Sequence, residues 1–376
     1  MQNDPRLDTQ EILDGIRQWV EIESPSDEPV HVNTLMDLVQ IQYGALGARI
    51  ERVPGCEGRG DHLVVRSPWG GDGPGILVLS HLDTVHPLGT LSGRLPFRVE
   101  GDAAFGPGIY DMKGGCHLAF AAYRHLVRAG RTTPLPITHL IVSDEEVGSP
   151  TSRELIERLG RNAKCVLVTE PARDGGKVVT ARKGTAMFHL KVTGRPAHAG
   201  ARHADGRSAV RELARQILDI EAMTDYARGV TTNVGVVGGG TKPNVVPEVA
   251  WAEIDMRVPT LAIADEMLDR ILNLKAHDPD CRVEVSGGLN RPPYEKDARV
   301  AALFEKARAL AEGIGIDLGD VSTGGGSDGN FTAPFAPTLD GLGVDGAGAH
   351  TMEEHLLVSS LVPRTELMLR LFETLD

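Results

Sequence analysis

Cysteine is scarce in this 376-residue chain: four in all, Cys56, Cys116, Cys165 and Cys281, far apart and without a C-x-x-C pair. That scarcity excludes a disulfide framework and a thiolate zinc site, and leaves free thiols in a reducing compartment as the expectation. Positive charge is also in deficit. Lys plus Arg number 39 against 52 Asp plus Glu, a net charge of −13, which argues against nucleic acid and anionic membranes as partners. No apolar run approaches membrane-spanning length. The first twenty residues are charged and amphipathic and lack an apolar signal core, so a cytoplasmic protein is expected. Tandem repeats and low-complexity tracts are missing as well. What the chain does have is 41% hydrophobic residues, enough for a large interior, and a length suited to two domains.

The most informative stretch is Gly75-Ile-Leu-Val-Leu-Ser-His-Leu-Asp-Thr84. An apolar run ending abruptly in His81-x-Asp83 predicts a central strand, buried on both faces. Open α/β sheets carry their chemistry at the carboxyl ends of such strands. Ile137–Val142 and Val166–Thr169 repeat the design, ending in Ser143-Asp-Glu-Glu-Val-Gly148 and Glu170-Pro171. Between the first of these strands and the second, Gly106-Pro-Gly-Ile-Tyr-Asp-Met-Lys-Gly-Gly115 leads into a helix predicted over 115–128. Amphipathic helices are expected over 9–23, with Asp8 or Thr9 as N-cap, and over 31–46. The span 86–106 reads as loop. From about 176 to 288 the order becomes strand–helix–strand–strand–helix–strand, a small ferredoxin-like α+β unit. The first texture then returns, with a helix at 298–312, the Gly324-Gly-Gly-Ser-Asp328 loop and a last helix over 353–375. The expected organisation is an α/β domain built from 1–175 and 289–376, interrupted by an inserted domain at 176–288.

The strand ends and glycine-rich turns offer His81, Asp111, Glu145, Glu146, Glu170 and His350. Carboxylates and imidazoles without thiolate suit zinc, cobalt or manganese. Two dications about 3.5–4 Å apart need a bridging carboxylate and terminal ligands. Six groups provide one bridge, four terminal ligands and a spare acid, and hydrolysis requires such an acid to move protons. Asp83 is placed to orient His81 as a carboxylate partner. Glycines at 238–240 and 324–326 do not stand in a G-K-[ST] frame, so the nucleotide-loop reading fails. The backbone N–H groups of 324–327, including Gly325, Gly326 and Ser327, are instead expected to cradle a substrate carboxylate at a helix start capped by Asp328. Cys116 is read as core, and His62, His86, His203 and His355 as surface or packing residues.

Taken jointly, S-H-L-D-T at 80–84, G-P-G-I-Y-D-M-K-G-G at 106–115, S-D-E-E-V-G at 143–148, E-P at 170–171, A-H-A-G at 197–200 and G-G-G-S-D at 324–328 resemble the M20 metallopeptidases. The resemblance implies a mixed-sheet catalytic domain of the aminopeptidase/phosphorylase-hydrolase type with an inserted ferredoxin-like lid and dimerisation domain. It implies two divalent ions, zinc foremost, with cobalt or manganese as alternatives. His81, Asp111 and Glu170 would hold one, and Asp111, Glu146 and His350 the other. Asp111 would bridge, Glu145 would be the base, and the Asp111–Met112 peptide bond would be cis. In the lid, His198 would reach the partner subunit's site to steady the oxyanion, while Asn244, Arg257 and, more weakly, Lys177 would grip substrate. Arg257 suits a terminal carboxylate because a guanidinium binds one as a fork. The implied activity is release of a C-terminal amino acid from a short peptide or N-acyl amino acid, with G-P-G rather than G-R-G pointing to the glutamate-carboxypeptidase branch. The alternatives are an N-acyl-amino-acid deacylase with the same machinery, or an inactive relative acting as a binding protein.

Overall fold

Six strands form the sheet that carries the candidate site, and a computed structural model describes them within residues 7–376. In spatial order they are Arg49–Val53, His62–Arg66, Ile137–Val142, Ile76–His81, Cys165–Val168 and Thr338–Leu339. His62–Arg66 is antiparallel to the strand on each side of it, and from Ile137–Val142 to Thr338–Leu339 each strand runs parallel to the next. Every residue of Ile76–His81 is buried. Helices cover both sides, as the unbroken apolar run requires. On one side Ile76 and Val78 join the cluster that includes Ala119, Leu303 and Leu367; on the other Leu77 and Leu79 pack with Leu155 and Phe331.

The chain divides into two compact units. One runs through Ala181 and adds Lys296–Ser322 and Ser327–Asp376; the other is Arg182–Glu295 with Thr323–Gly326. These borders differ from the expected 176–288. Val178 belongs to the core of the larger unit and Val179 exchanges backbone hydrogen bonds with Asp340, which moves the first border inward. The strand Arg282–Arg291 completes the smaller sheet and moves the second border outward. That smaller unit has the order Gly184–Thr193, Ala209–Glu221, Thr231–Gly239, Val249–Val258, Leu261–Leu272, Arg282–Arg291. Its sheet is antiparallel throughout, with the first strand in sequence between the third and the fourth, a ferredoxin-like arrangement.

Local differences from the sequence reading have local causes. Asp8, not Thr9, caps the first helix, Thr9–Val20, accepting the N–H of Glu11 at 2.7 Å. The last helix begins only at Leu361, because His355–Leu357 is drawn into a strand beside Ala103–Phe105. The span expected to be loop therefore contains two short strands, Arg98–Glu100 and Ala103–Phe105. Among the described residues no helix is long and apolar enough to cross a membrane. Cys116 is buried, and burial pushes its thiol up to about 12, which removes it as a nucleophile.

Two buried histidines give the fold a pH dependence. His117 packs edge-on against Trp19 and has no hydrogen-bond partner at either ring nitrogen among the described residues; burial pushes its pKa down to about 3. Burial does the same to His139, whose ring lies 2.7 Å from both the Tyr43 and Ser80 hydroxyls. An unfolded histidine titrates near about 6.5. Below that pH the unfolded chain binds more protons than the folded one, so stability is complete above about 6.5 and falls as pH drops towards the folded value. Replacing His117 by leucine is expected to shrink the stability difference between about pH 7 and about pH 5 by roughly 2 kcal/mol, at about 1.4 kcal/mol per unit. Urea unfolding at the two pH values measures it, and an unaltered difference would show that His117 is not held neutral.

Candidate metal centre

Parallel register brings the polar strand ends together. His81 lies opposite Val142, so Ser143 to Glu146 leave the sheet beside it, and Leu79 lies opposite Val168, two residues before Glu170. Asp111 enters from the turn Ile109–Lys113, just ahead of the helix Gly114–Arg128, and its peptide bond to Met112 is cis. His350 comes from the turn between Gly346–Ala347 and His355–Leu357, with a backbone φ of 63°. A left-handed backbone at a residue other than glycine is uncommon and recurs at functional sites.

The five candidate ligands and the spare acid belong to one cluster. Asp111 lies between the two imidazoles, Oδ1 3.4 Å from His81 Nε2 and Oδ2 3.4 Å from His350 Nε2. Glu170 is 3.6 Å from His81 Nε2, and Glu146 is 3.1 Å from His350 Nε2. Possible ligand atoms of His81, Glu145 and Glu170 lie within 4.8 Å of one another, as do those of His81, Asp111 and Glu146. His81 Nε2 and Glu146 Oε1 are buried and make no hydrogen bond among the described residues. Buried polar atoms are rarely left so. Oxygens and imidazole nitrogens converging in this way are what a divalent cation needs, and this set suits one.

Electrostatics point the same way. Burial opposes a charge on His81, yet Asp111 and Asp83 hold its pKa well above the ordinary histidine value. Hydrogen bonding to Asp111 and Glu146 raises His350 to about 10. Asp111 sits far below the usual carboxylate range despite burial, because both imidazoles lie against it, His350 and His81 each 3.4 Å away. Burial, with the neighbouring charge of Asp111, pushes Glu146 up. Opposed shifts among grouped acids and bases mark a functional centre.

Asp83 does more than the sequence suggested. His81 Nδ1 is 3.0 Å from the backbone carbonyl of Asp83 and 3.5 Å from its carboxylate. The carboxylate accepts the N–H groups of Glu145 at 3.2 Å and Glu146 at 3.1 Å, and the Ser26 hydroxyl at 2.7 Å. One buried aspartate therefore orients the imidazole and shapes the Glu145-Glu146 turn. Asp144, which sequence reasoning passed over, folds the other end of that turn by accepting from the N–H and hydroxyl groups of Thr151 and Ser152. Its only signal was its place in S-D-E-E. Glu354 was also missed: it bonds the backbone N–H of Asp111.

The remaining candidates are distributed differently. His198 and Asn244 come together on the smaller unit, where the N–H of Ala199 donates to the Asn244 carbonyl. His198 Nδ1 accepts the N–H groups of Gly200 and Ala201, both at 3.1 Å. In the neutral ring the hydrogen must then sit on Nε2, leaving an exposed donor. Arg257 is closed as a fork on Asp255, Nε and Nη2 each at 2.8 Å. Lys177 is exposed on the larger unit, its backbone paired with Arg173. At the glycine loop the expectation of a helix-start cradle needs correcting. The helix there, Gly329–Thr332, is a single turn without a side-chain cap from Asp328, which instead accepts from Ser149. Ser327 is buried, its N–H given to Asn330 at 2.9 Å and its hydroxyl to Asp340 at 2.6 Å, so it shapes the loop and offers no free donor. Gly325 and Gly326 turn their carbonyls to the buried Arg182, at 3.2 and 3.3 Å.

Comparison with known proteins gives a consistent picture. Residues 77–374 match the sequence profile described as peptidase family M20/M25/M40. Carboxypeptidase G2 of Pseudomonas sp. (strain RS-16) is 33% identical over 312 residues, 81% of this chain and 74% of that protein. Succinyl-diaminopimelate desuccinylase of Acinetobacter baumannii (strain AYE) is 27% identical over 374 residues, 94% of this chain and 96% of that protein. Among solved structures, a Staphylococcus aureus tripeptidase superposes with a TM-score of 0.83 at 20% identity, over 98% of this chain and 99% of its own. An M20 family metallo-carboxypeptidase from Sulfolobus solfataricus does so at 0.72 and 17% identity, over 97% and 99%.

Proposed function

The chain belongs to peptidase family M20/M25/M40, and on that premise we propose that it is a dinuclear metal-dependent carboxypeptidase releasing a C-terminal amino acid, of glutamate type, from a short peptide or N-acyl amino acid. The observation that supports two ions rather than one is the Asp111 carboxylate, one oxygen facing His81 and the other facing His350, both at 3.4 Å. His81, Asp111 and Glu170 would hold one ion, and Asp111, Glu146 and His350 the other. Divalent ions bound there, zinc foremost, supply Lewis acidity, polarising the scissile carbonyl and acidifying water. Glu145 takes the proton of the attacking water and returns it to the departing amine. His198, contributed by the partner subunit of a homodimer joined through the lid, presents its Nε2–H to the oxygen that gains charge. Asn244 and Arg257 grip the substrate, Arg257 at its terminal carboxylate, with Lys177 assisting. Asp255 takes Nε and Nη2 of Arg257 and so fixes the plane of the guanidinium, leaving its Nη1 side to meet the substrate.

The preference for a carboxypeptidase over a deacylase is supported by the 33% identity to carboxypeptidase G2. The desuccinylase similarity, which spans more of the chain at lower identity, keeps the second reading in view. A panel of N-acyl glutamates, dipeptides, and acetylated or succinylated amines, assayed with added zinc, cobalt or manganese, tests the choice. N-acyl glutamates are expected to have the highest kcat/KM, and Arg257→Ala to raise their KM by about tenfold or more, the worth of a charge-assisted bond. Faster turnover of succinylated or acetylated diamines would overturn the carboxypeptidase reading.

A further inference from the structure

Glu354 is a carboxylate in the interior, 1% exposed, four residues beyond His350. Its two oxygens are saturated by four donors. Oε1 accepts the N–H groups of Tyr110 and Asp111, both at 2.9 Å. Oε2 accepts the N–H of Gly108 at 2.9 Å and lies 2.6 Å from Nε2 of the buried His86. Gly108, at φ 70°, turns the backbone so that these N–H groups converge, and a side chain there would collide with Thr84. Converging backbone N–H groups of this kind form an anion-binding nest. Here the chain supplies the anion itself. The nest belongs to the loop of Asp111, and the carboxylate filling it belongs to the segment that delivers His350. The same two segments are joined a second time where His355–Leu357 pairs with Ala103–Phe105.

We propose that Glu354 is a positioning residue for the metal centre: it ties the Asp111 loop to the His350 segment and so sets the reach between the shared carboxylate and the second imidazole. This inference rests on the dinuclear reading of the centre. One of its bonds ends on the amide of Asp111 itself, so loosening it moves the ligand directly. The neighbouring Glu353, exposed and one residue away, has no such contact among the described residues. Outer partners of metal ligands typically contribute about tenfold to a hundredfold in metal affinity, and Glu354 acts through both the ligand's backbone and the approach of its counterpart.

The experiment titrates metal-free protein with zinc and with cobalt, reading stoichiometry, affinity and the visible cobalt spectrum. Glutamine at 354 keeps the shape and one acceptor oxygen but points an NH2 group towards N–H donors. Glu354→Gln is therefore expected to stay folded by circular dichroism, to bind the second ion about tenfold to a hundredfold more weakly, and to alter the cobalt spectrum. Its kcat recovers as metal is raised, with KM unchanged. His86→Phe removes one donor, leaves the backbone nest, and shifts the same affinity in the same direction by less; it carries the test if Glu354→Gln does not fold. Wild-type protein that takes up two ions, beside a folded variant with the same affinities and spectrum, overturns this inference alone. Wild-type protein that takes up fewer than two ions overturns the dinuclear reading and this inference with it.

Discussion

Replacing Glu145 by glutamine is expected to lower kcat by about a thousandfold or more, within the range general acid–base catalysis supplies, while fold and metal content stay intact. Glutamine fills the same volume and leaves the backbone N–H that Asp83 accepts at 3.2 Å, so the turn keeps its shape. What it removes is a group able to take a proton and give it back. KM should change little, because the lost interaction is made in the transition state and not in the bound ground state. Measuring kcat, KM and metal stoichiometry on one preparation separates the possibilities. A variant with near wild-type kcat would end the assignment of Glu145 as the proton carrier, and one that has lost metal would make Glu145 a ligand.

Replacing Asp111 by asparagine is expected to abolish turnover at least as completely, by a different route. The side chain is buried, and its charge is what both imidazoles face. An amide has one weak donor oxygen and no charge, so two cations about 3.5–4 Å apart would repel without a shared anion. Metal content should fall to one ion or none. In metal-free protein the change has a spectroscopic sign as well. His350 is raised to about 10 chiefly by its hydrogen bond to Asp111, with Glu146 second. Removing the first cause should bring its pKa down towards the ordinary histidine value, and following the imidazole resonances by NMR against pH reads the shift. A variant that still binds two ions would show that Asp111 is not the shared ligand, and a His350 that still titrates near 10 would show that Asp111 is not what raises it.

Much of the centre could be read along the chain because burial is a local property of a strand. Ile76 to Leu79 are apolar on both faces, so they had to be central, and the polar residue that ends such a run had to lie at the sheet's carboxyl edge. The same logic located the Glu145-Glu146 turn and Glu170. The ferredoxin-like order of the smaller unit followed from alternation and helical spacing in the same way. The errors fell where a residue's role depends on a distant partner. His355–Leu357 looked like the start of a helix until Ala103–Phe105 paired with it. Ser327 looked like a free donor, and Asn330 and Asp340 had already taken its bonds.

Sequence alone determined which residue types stand at the ends of the buried strands, and with them the family and the chemistry open to the chain, since apolar periodicity and donor type are written residue by residue. Only the tertiary structure decided how those residues are held. Asp83 shapes a turn 62 residues away, and Glu354 reaches the amide of Asp111 across 243 residues. A carboxylate carries no mark of which N–H groups will surround it; chain folding brings the donors, and burial makes leaving any of them unpaired too costly.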